Sequence, residues 1–380
     1  MAYKKNLPGI LEKEDTKSVR ILSDKGIQQA INLGLIKIKP SDDLKKNRKR
    51  IQPATLDVKL KKISVSKPIN MDKYSQDVSS KRTTLQAGYI SDVELTERIS
   101  LTYPEFMRVA YEARSSVRRL GGFIPYQGKS FFSCGKNSRL KIGNFSSNNI
   151  HFKKEDRVAQ LFFTVFPFQD HGAICSPNYE GIRNIAEKIR SLDMGRTISK
   201  NNHLKSLQEK GLMNISPKLK TYRGLIKVHA SDKGYKIKKI NEGLDFNKKG
   251  RYSEEELLEP IDISKGYKVK PSEHIIIETL EKFELSPHVG IRFWDNFPNQ
   301  VSLKDKYFLD NLETYVLTDG WIDPGYNGGF SRQPKWVGKT VYPGDSIGFG
   351  QVFYFPKGVN VAYGNDKLGS QYQNNEKTKF

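Results

Sequence analysis

Short runs in which every second residue is apolar dominate this chain. In IQPATLDVKL (residues 51–60), Leu56, Val58 and Leu60 alternate with polar neighbours, the period of a half-buried strand. Beyond Tyr74, the pieces SLTYPEFMRVAYEAR, SRLKIGNFS, NIHFKKED and RVAQLFFTVFPF are brief, apolar or alternating, and punctuated by Gly, Pro, Asn and Ser. That cadence predicts compact all-β structure built from short strands. Two stretches have a helical period instead. SDKGIQQAINLG (residues 23–34) sets Ile27, Ala30 and Ile31 on one face, with Ser23 as N-cap and Gly34 as a stop. IRNIAEKIRSL (residues 182–192) aligns Ile182, Ile185, Ala186, Ile189 and Leu192. The sequence then stays polar and Lys/Asn-rich to about Lys220, and from Tyr222 the strand cadence returns.

A faint internal repeat underlies this pattern. TERISLTYPEFMRVAYEARSS resembles TLEKFELSPHVGIRFWDN: in each, a Thr–Glu strand is followed by Pro104 or Pro287 and then an apolar strand. RVAQLFFTVFP resembles GFGQVFYFP, with Gln160 opposite Gln351. The expected organisation is a first β-domain over residues 1–178, a helical, polar linker over 179–221, and a second β-domain over 222–380.

Composition narrows the chemistry. The chain has 380 residues, and 64 Lys+Arg against 42 Asp+Glu give a net charge of +22. Such a balance suits a polyanionic partner, whether nucleotide phosphates or nucleic acid, or equally a solvated basic surface. No apolar run approaches the roughly 18 residues of a membrane span, and the N-terminus lacks a signal-peptide core, so a cytoplasmic protein is expected. Cys134 and Cys175 are too few for a disulfide framework or a zinc cluster, and the six histidines form no HxE or HxxxH pattern. A zinc-dependent deaminase, which needs HxE with PCxxC, is excluded by inventory.

Two segments concentrate chemistry. ARSSVRRLGG places Arg114, Ser115, Ser116, Arg118 and Arg119 beside a Gly-Gly turn. Guanidinium forks, small hydroxyls and open backbone N–H groups together form a phosphate cradle; a merely basic loop is the plain alternative. In GWIDPGYNGG the Pro-Gly pair marks a tight turn that can present Asp323 and Tyr326. A carboxylate there can accept a sugar hydroxyl or orient a water, and a Tyr ring stacked on the sugar would exclude a 2′-hydroxyl. Alternatively, Asp323 caps the turn and Tyr326 packs in the core.

Taken together, IQPATLDV, RSSVRRLG, IDPGYNG and the terminal GSQYQNN resemble the dCTP deaminase / dUTPase superfamily, and most closely its long bacterial deaminases with two fused domains. The resemblance implies a mainly β fold: two tandem dUTPase-like β-barrel or jelly-roll (β-clip) domains, a helical connector and a short N-terminal helix. It implies a homotrimer, no membrane, and Mg²⁺ travelling with a deoxynucleoside triphosphate, without zinc. By resemblance, Arg114, Ser116 and Arg118 hold the triphosphate, and Ser115 and Arg119 also reach the base. Asp323 and Tyr326 meet the sugar, Ser331, Arg332 and Gln333 the pyrimidine edge, and Tyr363, Gln371 and Asn375 lie in a closing tail. The first repeat keeps RSS but reads Phe132-Ser133-Cys134-Gly135 where IDPG should stand. The second keeps IDPG but reads about Asp295-Asn296-Phe297 in place of RSS. One composite site per chain follows.

One position departs from the pattern. Family deaminases use a Glu after IDPGxxG as the general base; Gln333 stands there, and the first-repeat equivalent is about Gly143. Losing that base should cost about 10²–10⁴-fold in rate. Three activities therefore stay open: hydrolytic deamination of dCTP to dUTP and ammonia, dUTP pyrophosphatase activity through Asp323, and a catalytically degenerate deoxynucleotide- or nucleic-acid-binding protein.

Overall fold

The computed structural model describes residues 19–40, 50–68, 83–104, 106–124, 139–144, 146–165, 179–222, 224–248, 252–270, 273–295, 318–332 and 340–364. The chain is mainly β, as the alternation predicts, with a network of 17 strands linked by hydrogen bonds and three smaller sheets. In chain order, the elements that frame the site begin with β1 (Arg20–Leu22), α1 (Asp24–Asn32), β2 (Ile36–Lys39) and β3 (Leu56–Pro68). There follow β4 (Met107–Ala113), α2 (Ser115–Arg119), β5 (Arg157–Val165), α3 (Tyr179–Arg190), β6 (Met194–Ile198) and α4 (Asn201–Glu209). The second half continues with β7 (Met213–Ser216), β8 (Leu225–Ile237), β9 (Ile275–Leu285), β10 (Val289–Asp295), β11 (Thr318–Ile322), β12 (Asn327–Arg332) and β13 (Ser346–Tyr354).

The N-terminal helix forms where its period predicts. The Ser23 side chain accepts from the Gly26 N–H at 3.1 Å, satisfying one open donor of the first turn, and Ile27 and Ala30 are fully buried. Gly26 is a weak helix former, but any β-carbon there would stand 2.0 Å from the Asp193 carbonyl oxygen. The helix thus docks backbone-to-backbone on the start of the second half, and Ser23 Oγ also donates to Asp193 Oδ2 at 2.8 Å.

The stretch 179–221, expected as a helical connector, contains two helices but also two strands and the start of a third at Thr221. Only α3 lies outside the repeat. From Met194 the succession β6–α4–β7 copies β1–α1–β2, and β6 pairs with both β1 and β13. The second copy therefore opens near Met194 and not at Tyr222; the polar surface of α4 hides this, because only His203, Leu204 and Leu207 are buried.

The repeat continues in register. β5 lies between β3 and β4, so that Gln160 faces Asp57 on one side and Glu112 on the other. β13 lies between β8 and β10, and Gln351 faces Arg292. Glu112 and Arg292 thus occupy equivalent places in the two copies. One apolar core is built mainly by the first half, with Ile237, Leu244, Leu257, Leu258 and Ile276 of the second half packed into it; another lies in the second half, and a third cluster of Ile21, Ala54, Phe162, Trp321, Phe353, Phe355 and Val359 forms a seam that draws on both. The equivalent residues Phe162 and Phe353 flank Trp321, with ring centroids 5.3 and 5.7 Å away.

Phe162 is fully buried in that seam, with the Arg292 guanidinium 5.1 Å above its ring. Phe162→Ala should cost about 3–5 kcal/mol, read as a lower urea midpoint. An unchanged midpoint would show that the seam does not hold the halves together.

Candidate functional site

The front component grows from the end of a strand. β4 buries Met107, Val109 and Ala113, and at Arg114 the backbone stays extended (φ −57°, ψ 149°) before one helical turn, Ser115–Arg119. The Arg114 N–H donates to the Val158 carbonyl at 3.2 Å, and buried Val117 anchors the turn. Arg114, Ser115, Ser116, Arg118 and Arg119 all remain partly exposed. Among the described residues, Ser115 and Ser116 make no side-chain hydrogen bond, whereas Arg118 and Arg119 are engaged.

The back component is the β11–β12 hairpin. Asp323-Pro324-Gly325-Tyr326 closes it, with the Tyr326 N–H donating to the Asp323 carbonyl at 3.2 Å and Gly325 at φ +89°. Proline second and a left-handed glycine third are what a type II turn selects. The Trp321 indole N–H donates to Asp323 Oδ1 at 2.7 Å.

Front and back components meet within one chain. A β-carbon on Gly320, at φ +137°, would stand 2.6 Å from Nη1 of Arg118, so the guanidinium lies directly on the hairpin backbone. Asp323 is within electrostatic reach of Arg114, Asp57 and Glu112, all from the first half. Asp57 is fully buried, with Oδ1 3.5 Å from Arg114 Nε and Oδ2 3.3 Å from Arg157 Nη1. Its carbonyl accepts from Arg50 Nε and Nη2 at 3.1 and 2.8 Å. Glu112, 2% exposed, accepts at Oε1 from Nε of Arg292 on β10 at 2.9 Å, an ion pair between the halves. Its Oε2 is buried without a hydrogen bond among the described residues.

This environment tunes Asp323. The residue is half-buried. Burial pushes its pKa up, the Trp321 hydrogen bond opposes that, Asp57 raises it, Arg114 lowers it and Glu112 raises it, leaving it at about 7. Asp323 therefore changes charge near neutrality.

Other expected site residues fall elsewhere. Tyr326 turns into the second core, 8% exposed, with its hydroxyl donating to the Gly329 carbonyl and its ring 5.6 Å from that of Tyr363. The core-packing alternative describes Tyr326 here, and it is not presented beside Asp323. Tyr363 lies against the turn, its N–H donating to the Pro324 carbonyl at 2.8 Å. Ser331 and Arg332 lie on β12, in register with Glu278 and Ile277 of β9. Gln333, Gln371 and Asn375 lie outside the described residues. Asp57, Glu112, Arg157 and Arg292 were not expected as site residues. Asp57 was hidden as one polar position of an alternating strand. Glu112 and Arg292 had one available signal, opposite charges at equivalent repeat positions.

A raised carboxyl pKa stabilises the fold only while the proton stays on. That stabilisation is complete below the unfolded value near 4 and is lost as pH rises through about 7. Asp323→Asn keeps an acceptor for Trp321 and has no proton to lose. Its melting temperature should gain on wild type between pH 4 and 7 and stay higher at pH 8. A variant that melts below wild type at pH 8 would contradict the raised ionisation.

No family model matches the chain. A curated protein of Corynebacterium glutamicum, "dCTP deaminase, dUMP-forming", is 30% identical over 129 residues, 32% of this chain and 63% of that protein. A protein of the same name from Sulfurihydrogenibium is 29% identical over 155 residues, 38% of this chain and 82% of the relative. The chain spans less than two thirds of the corynebacterial relative's length. Among solved structures, the 2′-deoxycytidine 5′-triphosphate deaminase of Agrobacterium tumefaciens matches in fold, with a TM-score of 0.61 and 17% identity, over 90% of this chain and 100% of that one. In sequence and in fold, then, the chain is similar to the dCTP deaminase / dUTPase superfamily, as its RSS and IDPG motifs indicate.

Proposed function

We propose that the chain binds one pyrimidine deoxynucleoside triphosphate where α2 meets the Asp323 turn, and that it deaminates dCTP: dCTP + H₂O gives dUTP + NH₃. The observation that supports this reading most is the closeness of the Arg118 guanidinium to the Gly320 backbone, because it brings a residue of the RSS segment against the hairpin that carries IDPG. Arg114, Arg118 and Arg119 with Ser115 and Ser116 bind the triphosphate, and Asp323 faces the sugar and the reacting end. Mg²⁺ would arrive on the triphosphate and neutralise its charge, the usual mode for an ion that keeps most of its waters.

Gln333 can hold a water but cannot accept its proton, so deamination proceeds slowly or draws its base from another carboxylate. A second reading is favoured by the placement of Asp323, which accepts from the Trp321 indole and lies within electrostatic reach of Arg114, with burial pushing its pKa up to about 7. Such a carboxylate can take a proton from water attacking the α-phosphorus, with pyrophosphate leaving, and guanidinium groups stabilise the charge that develops. The relatives named dUMP-forming are consistent with both steps in one site.

Purified protein with dCTP or dUTP and Mg²⁺ tests both readings. Ammonia from dCTP supports deamination, and pyrophosphate from dUTP supports the second reading. Asp323→Asn should lose at least about 10²-fold in either rate, and Gln333→Glu should raise ammonia release. Binding of dCTP without either product would leave a degenerate nucleotide-binding protein, and failure to bind any deoxynucleotide would reject the proposal.

A further inference from the structure

Asp24, the first residue of α1, ties the N-terminal helix to a segment near the Asp323 turn. It is 8% exposed. Its Oδ1 accepts from the Asn360 N–H and its Oδ2 from the Val361 N–H, each at 3.0 Å, across 336 and 337 residues of sequence. Oδ1 also accepts from the Lys25 N–H at 2.8 Å. A carboxylate that receives two successive backbone N–H groups fixes the position of that backbone, and charge-assisted bonds of this kind are the stronger ones.

The segment so held runs directly to the site. Val359 donates its N–H to the Pro287 carbonyl at 2.9 Å and packs in the seam beside Trp321. Two residues past Val361, Tyr363 donates its N–H to the Pro324 carbonyl. A β-carbon on Gly325 would stand 2.7 Å from that of Ala362 and 3.0 Å from the Tyr363 carbonyl oxygen. The strap from Val359 to Gly364 therefore lies on the Asp323-Pro324-Gly325 turn, with Asp24 holding it from the other half. Asp24 is itself fixed because α1 is locked onto Asp193 through Ser23 and Gly26.

We propose that Asp24 is a positioning residue for the nucleotide site: by holding the N–H groups of residues 360 and 361 it seats the strap on the Asp323 turn. The effect on nucleotide affinity rests on the functional reading above; the effect on the turn does not.

The test uses the full chain without nucleotide. The Trp321 indole N–H, bonded to Asp323, reports the ionisation of that carboxyl in an NMR pH titration, and hydrogen exchange reports the strap. Asp24→Asn should speed exchange across residues 359–364 by on the order of tenfold, the scale of one lost hydrogen bond to a charged group. It should also lower the indole midpoint from about 7 towards the ordinary carboxylate range, as water reaches a loosened turn. Asn360→Pro removes one of the two held donors without touching α1 and should act in the same direction, which covers the case in which Asp24→Asn does not fold. An indole midpoint unchanged in the folded variants overturns the proposal, whether or not exchange changes. If both readouts move while wild type binds no dCTP, the strap assignment stands and the functional reading falls. If wild type binds, both variants should weaken the affinity by a similar factor.

Discussion

The structure depends on a buried ion pair that joins its two halves, Glu112 with Arg292. Glu112 is buried and its ion partner, Arg292, comes from the other copy of the repeat. Removing one partner of such a pair leaves a desolvated charge, a cost of about 3–5 kcal/mol. Asp57 is held within the first half by Arg114 and Arg157, and this in turn aims the Arg114–Arg119 segment. The apolar seam of Phe162, Trp321 and Phe353 excludes water from the same region and strengthens every charge interaction in it.

The repeat explains why this arrangement suits a fused chain. Glu112 and Arg292 stand at equivalent positions, opposite Gln160 and Gln351, yet they touch each other. Two identical copies would bring like charges together there and repel. Divergence within one chain allows one copy to carry the acid and the other the base. The same division of labour extends to the motifs: RSS persists in the first copy and IDPG in the second, and Arg118 on Gly320 joins them.

Much of this was legible in the sequence, and what was not has physical reasons. The α1 helix could be read because its period, its Ser23 cap and its buried Ile27 and Ala30 agree. The DPG turn could be read because proline and a left-handed glycine leave little choice of geometry. The start of the second copy was obscured, because α4 shows solvent a polar face and its three buried residues include His203. Asp57 and Glu112 look like ordinary polar positions of alternating strands; their pairing with Arg114, Arg157 and Arg292 comes from elements distant in sequence. Tyr326 shows the limit of motif reading, since a tyrosine beside a conspicuous turn can face the ligand or the core, and here core packing won.

The central claim is that one chain encloses one deoxynucleotide with residues from both its halves. Complementation tests it most directly. A variant lacking the cradle, Ser115→Ala/Arg119→Ala, and a variant lacking the turn carboxylate, Asp323→Asn, are co-expressed and the mixture is assayed for dCTP binding and turnover. If each site is built within a single chain, every chain carries one broken component and the mixture stays as inactive as its parts. Recovery of a substantial fraction of wild-type activity would mean that sites form between chains, and would contradict the account.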